Sequence, residues 1–177
     1  MVLDNFSSGY MSNFQKDSGS LTIIDGDVNS DKALDAAFKC KPDFVFHLAA
    51  QFANQNSVDH PVEDFNTNAN GTIRVLEYCR RSEGLLRMVY ASSSCVLGRH
   101  HRKMTEGTQV APETPYAVSK LTGELYALTF YRESSLSASR SCLCISRRRI
   151  CGVSGILGRP PRLGDRIGCV ERKAILF

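Results

Sequence analysis

Tyr116 and Lys120 stand four positions apart in the run Tyr-Ala-Val-Ser-Lys, and three consecutive serines, Ser92, Ser93 and Ser94, precede them. On a helix, positions i and i+4 share a face one turn apart. An ammonium group beside a phenol favours the phenolate and so lowers a pKa that starts near ~10. A tyrosine tuned in this way can exchange a proton with a substrate hydroxyl near neutral pH. A serine hydroxyl delivered from a strand end can hydrogen-bond the same oxygen. A lone Tyr-x-x-x-Lys on a surface helix is a common coincidence; the serines and the apolar strand before them argue against coincidence here.

Such side chains need a scaffold, and residues 1–133 supply its pattern. Short apolar runs alternate with amphipathic stretches, as in β-α units on a parallel sheet. Val2-Leu3 reads as a strand end closed by Asp4-Asn5 and the turn formers Ser7-Ser8-Gly9, and Leu21 to Ile24 reads as a second strand. Asp31 can cap a helix whose Ala33, Leu34, Ala37 and Phe38 fall at helical spacing. After the break at Lys41-Pro42-Asp43, the unalternated run Phe44 to Ala50 predicts a strand buried on both faces. Pro61 suits the first turn of a long helix from about Val62 to Arg81. Its Asn66, Asn68, Asn70 and Gly71 are poor helix formers, which points to a polar ligand or a close backbone approach along that segment. Leu86 to Ala91 is the next strand, and Tyr116 to about Arg132 the last helix, with Leu121, Leu125 and Leu128 as apolar anchors.

The totals set limits. A chain of 177 residues with 42% hydrophobic and 23% charged residues fits one globular domain. The net charge of +4 is an average over two unlike regions. Residues 1–133 hold 13 Lys+Arg against 16 Asp+Glu, whereas 134–177 hold 9 against 2. The basic tail lacks interleaved aromatics, which argues against nucleic-acid binding. No apolar run is long enough to span a bilayer, and the start carries no export signal. Seven cysteines without a C-x-x-C pair fit reduced thiols and a cytoplasmic location rather than a disulfide framework or a metal site. Cys142-x-Cys144 lacks partners at zinc spacing, His100-His101 reads as a solvated loop, and His47 as a core histidine. Beyond Glu133 the sequence turns Ser-, Arg- and Cys-rich without a clean period, so it is expected to be poorly ordered or to pack without a clear role, apart from a short strand near Leu143–Ile145.

Six segments in order carry a resemblance: Val2-Leu3-Asp4-Asn5-Phe6-Ser7-Ser8-Gly9, Gly26-Asp27-Val28, Val45-Phe46-His47-Leu48-Ala49-Ala50, Asn68-Ala69-Asn70-Gly71-Thr72, Val89-Tyr90-Ala91-Ser92-Ser93-Ser94, and Pro115-Tyr116-Ala117-Val118-Ser119-Lys120-Leu121-Thr122-Gly123-Glu124. Together the segments resemble the extended short-chain dehydrogenase/reductase family, and within it the NAD-dependent sugar-nucleotide epimerases and dehydratases. The resemblance covers about residues 1–133 and implies a Rossmann-type doubly wound parallel sheet with flanking helices. It implies that Asp4 binds the adenosine ribose diol of NAD and disfavours the 2′-phosphate of NADP, with Asn5 and Ser8 against the same ribose. Asp27 and Val28 would flank the adenine. Leu48, Ala49 and Ala50 would let the backbone pass close to the dinucleotide, and Thr67 and Asn68 would lie nearest the cofactor. Ser93, or Ser94 one position on, matches the catalytic hydroxyl, Tyr116 the general acid/base, and Lys120 the residue holding the nicotinamide ribose.

Two departures temper what the resemblance implies. The family opens with a strand and a G-x-x-G-x-x-G turn that sets the pyrophosphate on a helix N-terminus, and nothing before Val2 supplies either. The sheet is therefore expected to be incomplete, with unpaired edges between the strands of Val2-Leu3 and Phe44-Leu48. The tail after Glu133 also departs from the family, in the way a shifted reading frame would. The implied activity is epimerisation of a nucleotide-diphosphate sugar through a keto intermediate, in a homodimer. Family dehydratases place an Asp-Glu pair just after the catalytic hydroxyl; Ser94-Cys95 stands there instead, which favours epimerase or reductase. The rival reading is a non-catalytic fragment.

Overall fold

Short apolar runs pair into one parallel sheet in the computed structural model, which describes residues 1–14, 21–52, 54–99, 104, 108–133, 142–146 and 173–177. The strands are β1 (Val2–Asp4), β2 (Ile23–Asp25), β3 (Phe44–His47), β4 (Arg87–Ala91), β5 (Cys142–Ser146) and β6 (Ala174–Leu176). They lie in the order β2-β1-β6-β3-β4-β5, every pairing parallel. Parallel strands place all their carboxyl ends on one edge of the sheet. In open α/β sheets that edge is where ligands bind.

The helices follow from the sequence with local differences. Helix α1 (Asp31–Phe38) is capped by Ser30, whose hydroxyl accepts from the Ala33 amide, rather than by Asp31, which supplies a first-turn charge. It buries Ala33, Leu34 and Ala37. The segment expected as one helix is helical throughout but not uniformly α. Helix α2 (Asn54–Asp59) precedes it, and α3 (Pro61–Asp64) leads through a π-helical turn at Phe65–Asn70 into α4 (Gly71–Arg81). The poor helix formers thus mark a π-bulge, an irregularity frequent at functional sites. Gly71, just past the bulge, allows α4 to close on the loop after β2, because a Cβ there would stand 2.7 Å from Val28 Cγ2. The last helix, α5 (Pro115–Glu133), begins with Pro115, and Thr114 caps it by accepting from the Ala117 amide.

The expectation of an unfilled gap between β1 and β3 is corrected by β6. Leu176 N donates to Met1 O at 3.0 Å, Phe177 N to Phe46 O at 2.9 Å, and Leu48 N to Phe177 O at 2.9 Å. These bonds satisfy backbone groups on both neighbours that would otherwise be orphaned in the interior. Ile175 and Phe177 are buried in the same core as Leu3, Leu34, Val45, Val75 and Met88, and Phe177 stacks on Phe38. Each such side chain contributes about 1.5–3 kcal/mol on burial. Strand β5 lies along β4, with Arg87 opposite Cys142 and Ala91 opposite Ser146. Strand β5 falls where a short strand was expected near Leu143–Ile145, whereas β6 was not expected. Residues 134–141 and 147–172 lie outside the described residues.

Candidate active site

The N-terminal turns of α5 and the carboxyl end of β4 bring the expected proton-transfer set together. Ser57, buried on α2, donates its hydroxyl to Asn54 O at 2.7 Å and accepts from Tyr116 N at 3.1 Å. That bond fixes the helix start that carries Tyr116. The Ser93 hydroxyl hydrogen-bonds the Tyr116 side chain and accepts from the Cys95 amide at 3.2 Å, capping a 3-10 turn at Ser94–Leu97. Of the two candidate serines, Ser93 is therefore the one on the phenol, while Ser94 is exposed. Tyr116 is buried, and Phe52, 77% exposed, leans edge-on against its ring at a centroid distance of 5.8 Å.

The charge balance differs from the sequence-based expectation. Burial raises the Tyr116 pKa above its ordinary value; the Ser93 hydrogen bond opposes this, while Cys95 and Asp64 add to it. The expected lowering by Lys120 is not found, because the ammonium is drawn elsewhere. Lys120 Nζ sits 4.6 Å from the centroid of the Tyr90 ring, a cation-π arrangement. Burial pulls the Lys120 pKa down to about 8, against the opposing pull of Asp64 and Glu124. The pair thus stands as a protonated phenol and an ammonium held close to its proton-release range.

The nucleotide-binding candidates gather at the carboxyl ends of β1 and β2. Asp4 Oδ1 accepts from the Phe6 amide at 2.7 Å, and the turn runs through Phe6 at φ 55°. A Cβ on Gly9 would sit 3.7 Å from Asp4 Oδ2, so the loop passes close over that carboxylate. Asn5 Nδ2 donates to Asp27 Oδ2 at 2.9 Å, and Asp27 Oδ1 accepts from Asn29 N. Ser8 is exposed nearby in sequence, and Val28 is buried against α4. Leu48, half exposed, with Ala49 and Ala50, leaves the end of β3 on the same edge. A carboxylate and an amide beside a Gly-containing turn fit an adenosine ribose, so this end of the site suits a dinucleotide. No pyrophosphate cradle occurs among the described residues. Gly152, Gly155 and Gly158 carry the spacing of such a turn, far from Val2 in sequence, but lie outside the described residues.

Thr67 and Asn68, adjacent on the π-helical turn, face different surroundings. Thr67 is partly exposed on the π-helical turn. Asn68 is fully buried, and its amide is saturated from three sides. Nδ2 donates to Asp64 Oδ1 at 2.8 Å, to Gln51 O at 3.1 Å and to Ser119 Oγ at 3.3 Å, while Oδ1 accepts from Gln51 N at 2.8 Å. Asn68 therefore clamps the loop after Leu48-Ala49-Ala50 to α3 and α5 and does not present its side chain to a ligand.

His47 is a core histidine, as its position in a buried strand suggested. Thr72 Oγ1 donates to Asn68 O at 2.6 Å, so it accepts from His47 Nε2 at 2.9 Å. The ring is then neutral with its proton on Nε2; Nδ1 is buried without a partner among the described residues. Burial first, and the Lys120 charge second, push its pKa down to about 3. Cys40, Cys79 and Cys95 are unbridged. The described residues contain no cluster of metal-ligating side chains, and no helix among them is long and apolar enough to cross a membrane.

Comparison with known proteins identifies relatives of the chain. A UDP-glucose 4-epimerase of Mycolicibacterium smegmatis is 35% identical over 134 residues, covering 73% of this chain and 42% of the relative. A CDP-paratose 2-epimerase of Salmonella typhi is 30% identical over 132 residues, covering 64% of this chain and 39% of the relative. Among solved structures, an epimerase of Methanothermobacter thermautotrophicus superposes with a TM-score of 0.74 at 39% identity, over 82% of this chain and 43% of the other. A Thermus thermophilus UDP-glucose 4-epimerase in complex with NAD gives 0.71 at 30% identity, over 82% and 45%. The chain spans less than half the length of these relatives. The model of the NAD dependent epimerase/dehydratase family matches residues 1–145, and the chain belongs to that family.

Proposed function

We propose that this chain carries the catalytic half of an NAD-dependent epimerase acting on a nucleotide-diphosphate sugar. The observation that carries the reading is the convergence of Ser93, just after β4, on Tyr116 at the start of α5, whose amide Ser57 fixes, with Lys120 buried one turn along the same helix. Tyr116 Oη is the group that would take the proton from the sugar hydroxyl and return it to the oxygen of the keto sugar. When bound, NAD supplies hydride acceptance in the first half of the reaction and hydride donation in the second. Burial keeps the Tyr116 phenol protonated in the unliganded chain, the form that donates to a developing alkoxide. The oxidation half needs the phenolate, which positive charge nearby favours; in the unliganded chain the Lys120 ammonium, one turn along the helix, rests against Tyr90 instead. Ser93 would orient the phenol and the substrate oxygen. Asp4, Asn5 and Ser8 would hold the adenosine ribose, Asp27 and Val28 the adenine, with Leu48, Ala49, Ala50 and Thr67 beside the dinucleotide.

Exposed apolar side chains on α5 (Val118, Leu125, Tyr126), on α3 (Val62) and on the π-helical turn (Phe65) favour pairing of two copies through these helices. A homodimer is therefore part of the reading, and a cytoplasmic location goes with it as an expectation from the unpaired cysteines. The test is a hybrid enzyme in which residues 1–133 replace their counterparts in the Mycolicibacterium smegmatis relative. Turnover of UDP-sugars should fall by ~10²–10⁴-fold on Tyr116→Phe. Equal rates for the two would remove Tyr116 from the chemistry and the epimerase reading with it.

A further inference from the structure

Asp64 has no role in the reading above, yet it sits at the centre of the buried polar groups that support it. It is 1% exposed on α3. One carboxylate oxygen accepts from Asn68 Nδ2 at 2.8 Å; the other is buried without a hydrogen-bond partner among the described residues. A half-satisfied buried carboxylate is costly unless a charge nearby compensates it. The compensation lies on α5. Asn68 also donates to Ser119 Oγ, and Ser119 donates to Tyr116 O at 3.0 Å. A continuous chain of hydrogen bonds thus runs from the carboxylate to the helix turn between Tyr116 and Lys120.

We propose that Asp64 is a positioning residue for the Tyr116/Lys120 pair, acting as the fixed negative charge that keeps the Lys120 ammonium charged and seated against Tyr90. The idea rests on the reading of Tyr116 and Lys120 as the reactive pair, but its test needs no turnover. The groups acting on Lys120 are His47 from β3, Asp64 from α3, Tyr90 from β4, and Glu124 from α5 itself, with Tyr116 one turn before it on the same helix. His47 is neutral, and burial keeps both phenols protonated. Only the two carboxylates oppose the effect of burial on Lys120, and Asp64 is the stronger. The same carboxylate holds up the pKa values of Tyr90 and Tyr116. One buried charge therefore acts on all three groups around the α5 face.

The experiment is an NMR titration of the unliganded chain with lysine labelled at 13Cε, the Lys120 signal being assigned by its loss in Lys120→Met. Asp64→Asn keeps the size of the side chain and an oxygen for Asn68 while removing the charge. The Lys120 midpoint should fall by about one pH unit or more in Asp64→Asn, and by less in Glu124→Gln. An unmoved midpoint in folded Asp64→Asn, or a larger fall in Glu124→Gln, would overturn the proposal. A merely structural role for Asp64 would lower the melting temperature without moving the midpoint. Should Asp64→Asn not fold, its combination with Lys120→Met decides. Partnered charges predict that the double variant melts above both single variants; a double variant no more stable than the worse single one refutes the pairing. Failure here would leave the Tyr116→Phe comparison untouched, so the two ideas fall separately.

Discussion

Gly123→Ala offers a test of how α5 is seated on the sheet, because two effects of known sign oppose each other. In an ordinary helix interior, the exchange of Gly for Ala stabilises by about 1 kcal/mol. Here a Cβ at position 123 would stand 2.3 Å from Tyr90 Oη and 2.6 Å from Tyr90 Cζ. Ordinary contact begins near 3.4 Å, so helix and ring must separate by about 1 Å in a close-packed interior. Tyr90 is fully buried and its hydroxyl donates to Lys120 O at 3.3 Å, so the ring has no free space to enter. Overpacking of this kind costs about 1–3 kcal/mol, and loss of the Tyr90 hydrogen bond about 1 kcal/mol more. After the helix-propensity gain, the net destabilisation is about 1–3 kcal/mol. For a chain of this length that is a fall in melting temperature of roughly 3–10 °C, read by circular dichroism. Adding Tyr90→Leu should recover part of the loss, a non-additivity expected of contacting residues. If Gly123→Ala melts at or above the parent temperature, propensity has won, and the close approach of α5 to β4 is not as described.

Three further outcomes can be measured on the same chain. Ser57→Ala leaves the buried Tyr116 amide without its acceptor and should cost about 1–2 kcal/mol, visible as a lower melting temperature and a changed Tyr116 environment by NMR. His47 is neutral in the fold, whereas in the unfolded chain it takes up a proton near pH 6.5. Its contribution to stability is therefore lost as the pH falls from 6.5 toward 3, by about 1.4 kcal/mol per pH unit; His47→Gln should flatten that acid limb in urea unfolding series. Ile175→Ala, at a fully buried position in β6, should cost about 2–5 kcal/mol; a neutral result would show that β6 does not fill the centre of the sheet.

How much of this the sequence revealed depended on whether the signal was local. Strands β1 to β4, helices α1 and α5 and the Ser93/Tyr116/Lys120 set were legible because each rests on a run of apolar residues, a period or a fixed spacing. Helix α2 was not, since Asn-Gln-Asn-Ser has no apolar period and its one buried side chain is Ser57. The poor helix formers from Asn66 to Gly71 told of an irregularity, but not that Asn68 would turn inward and leave Thr67 outside. The direction of the Tyr116 shift was misjudged for a related reason. Spacing puts Lys120 on the same face, whereas its rotamer answers to Tyr90, Asp64 and Glu124, which come from elsewhere in the chain or further along the helix. Strand β6 was hidden most deeply, because Ala-Ile-Leu is too short to carry a period and its partners lie far away in sequence.

That last feature has a kinetic side. The Met1 ammonium donates to Ala174 O across a separation of 173 positions, close to the largest loop this chain can close. Among the described strands, β1 and β2 form one parallel pair and β3, β4 and β5 a second group, and nothing but β6 joins them. Each group can assemble from nearer contacts, while the seam between them must wait for the most distant one, whose closure entropy is met before any pairing rewards it. The middle of the sheet is then the last to form and the first to reopen. Hydrogen exchange should show protection arriving at Ile175 and Leu176 after the amides of β3 and β4. During that interval the facing edges of β1 and β3 are bare templates on which another chain could pair, which makes the folding intermediate, more than the native protein, the species at risk of aggregation.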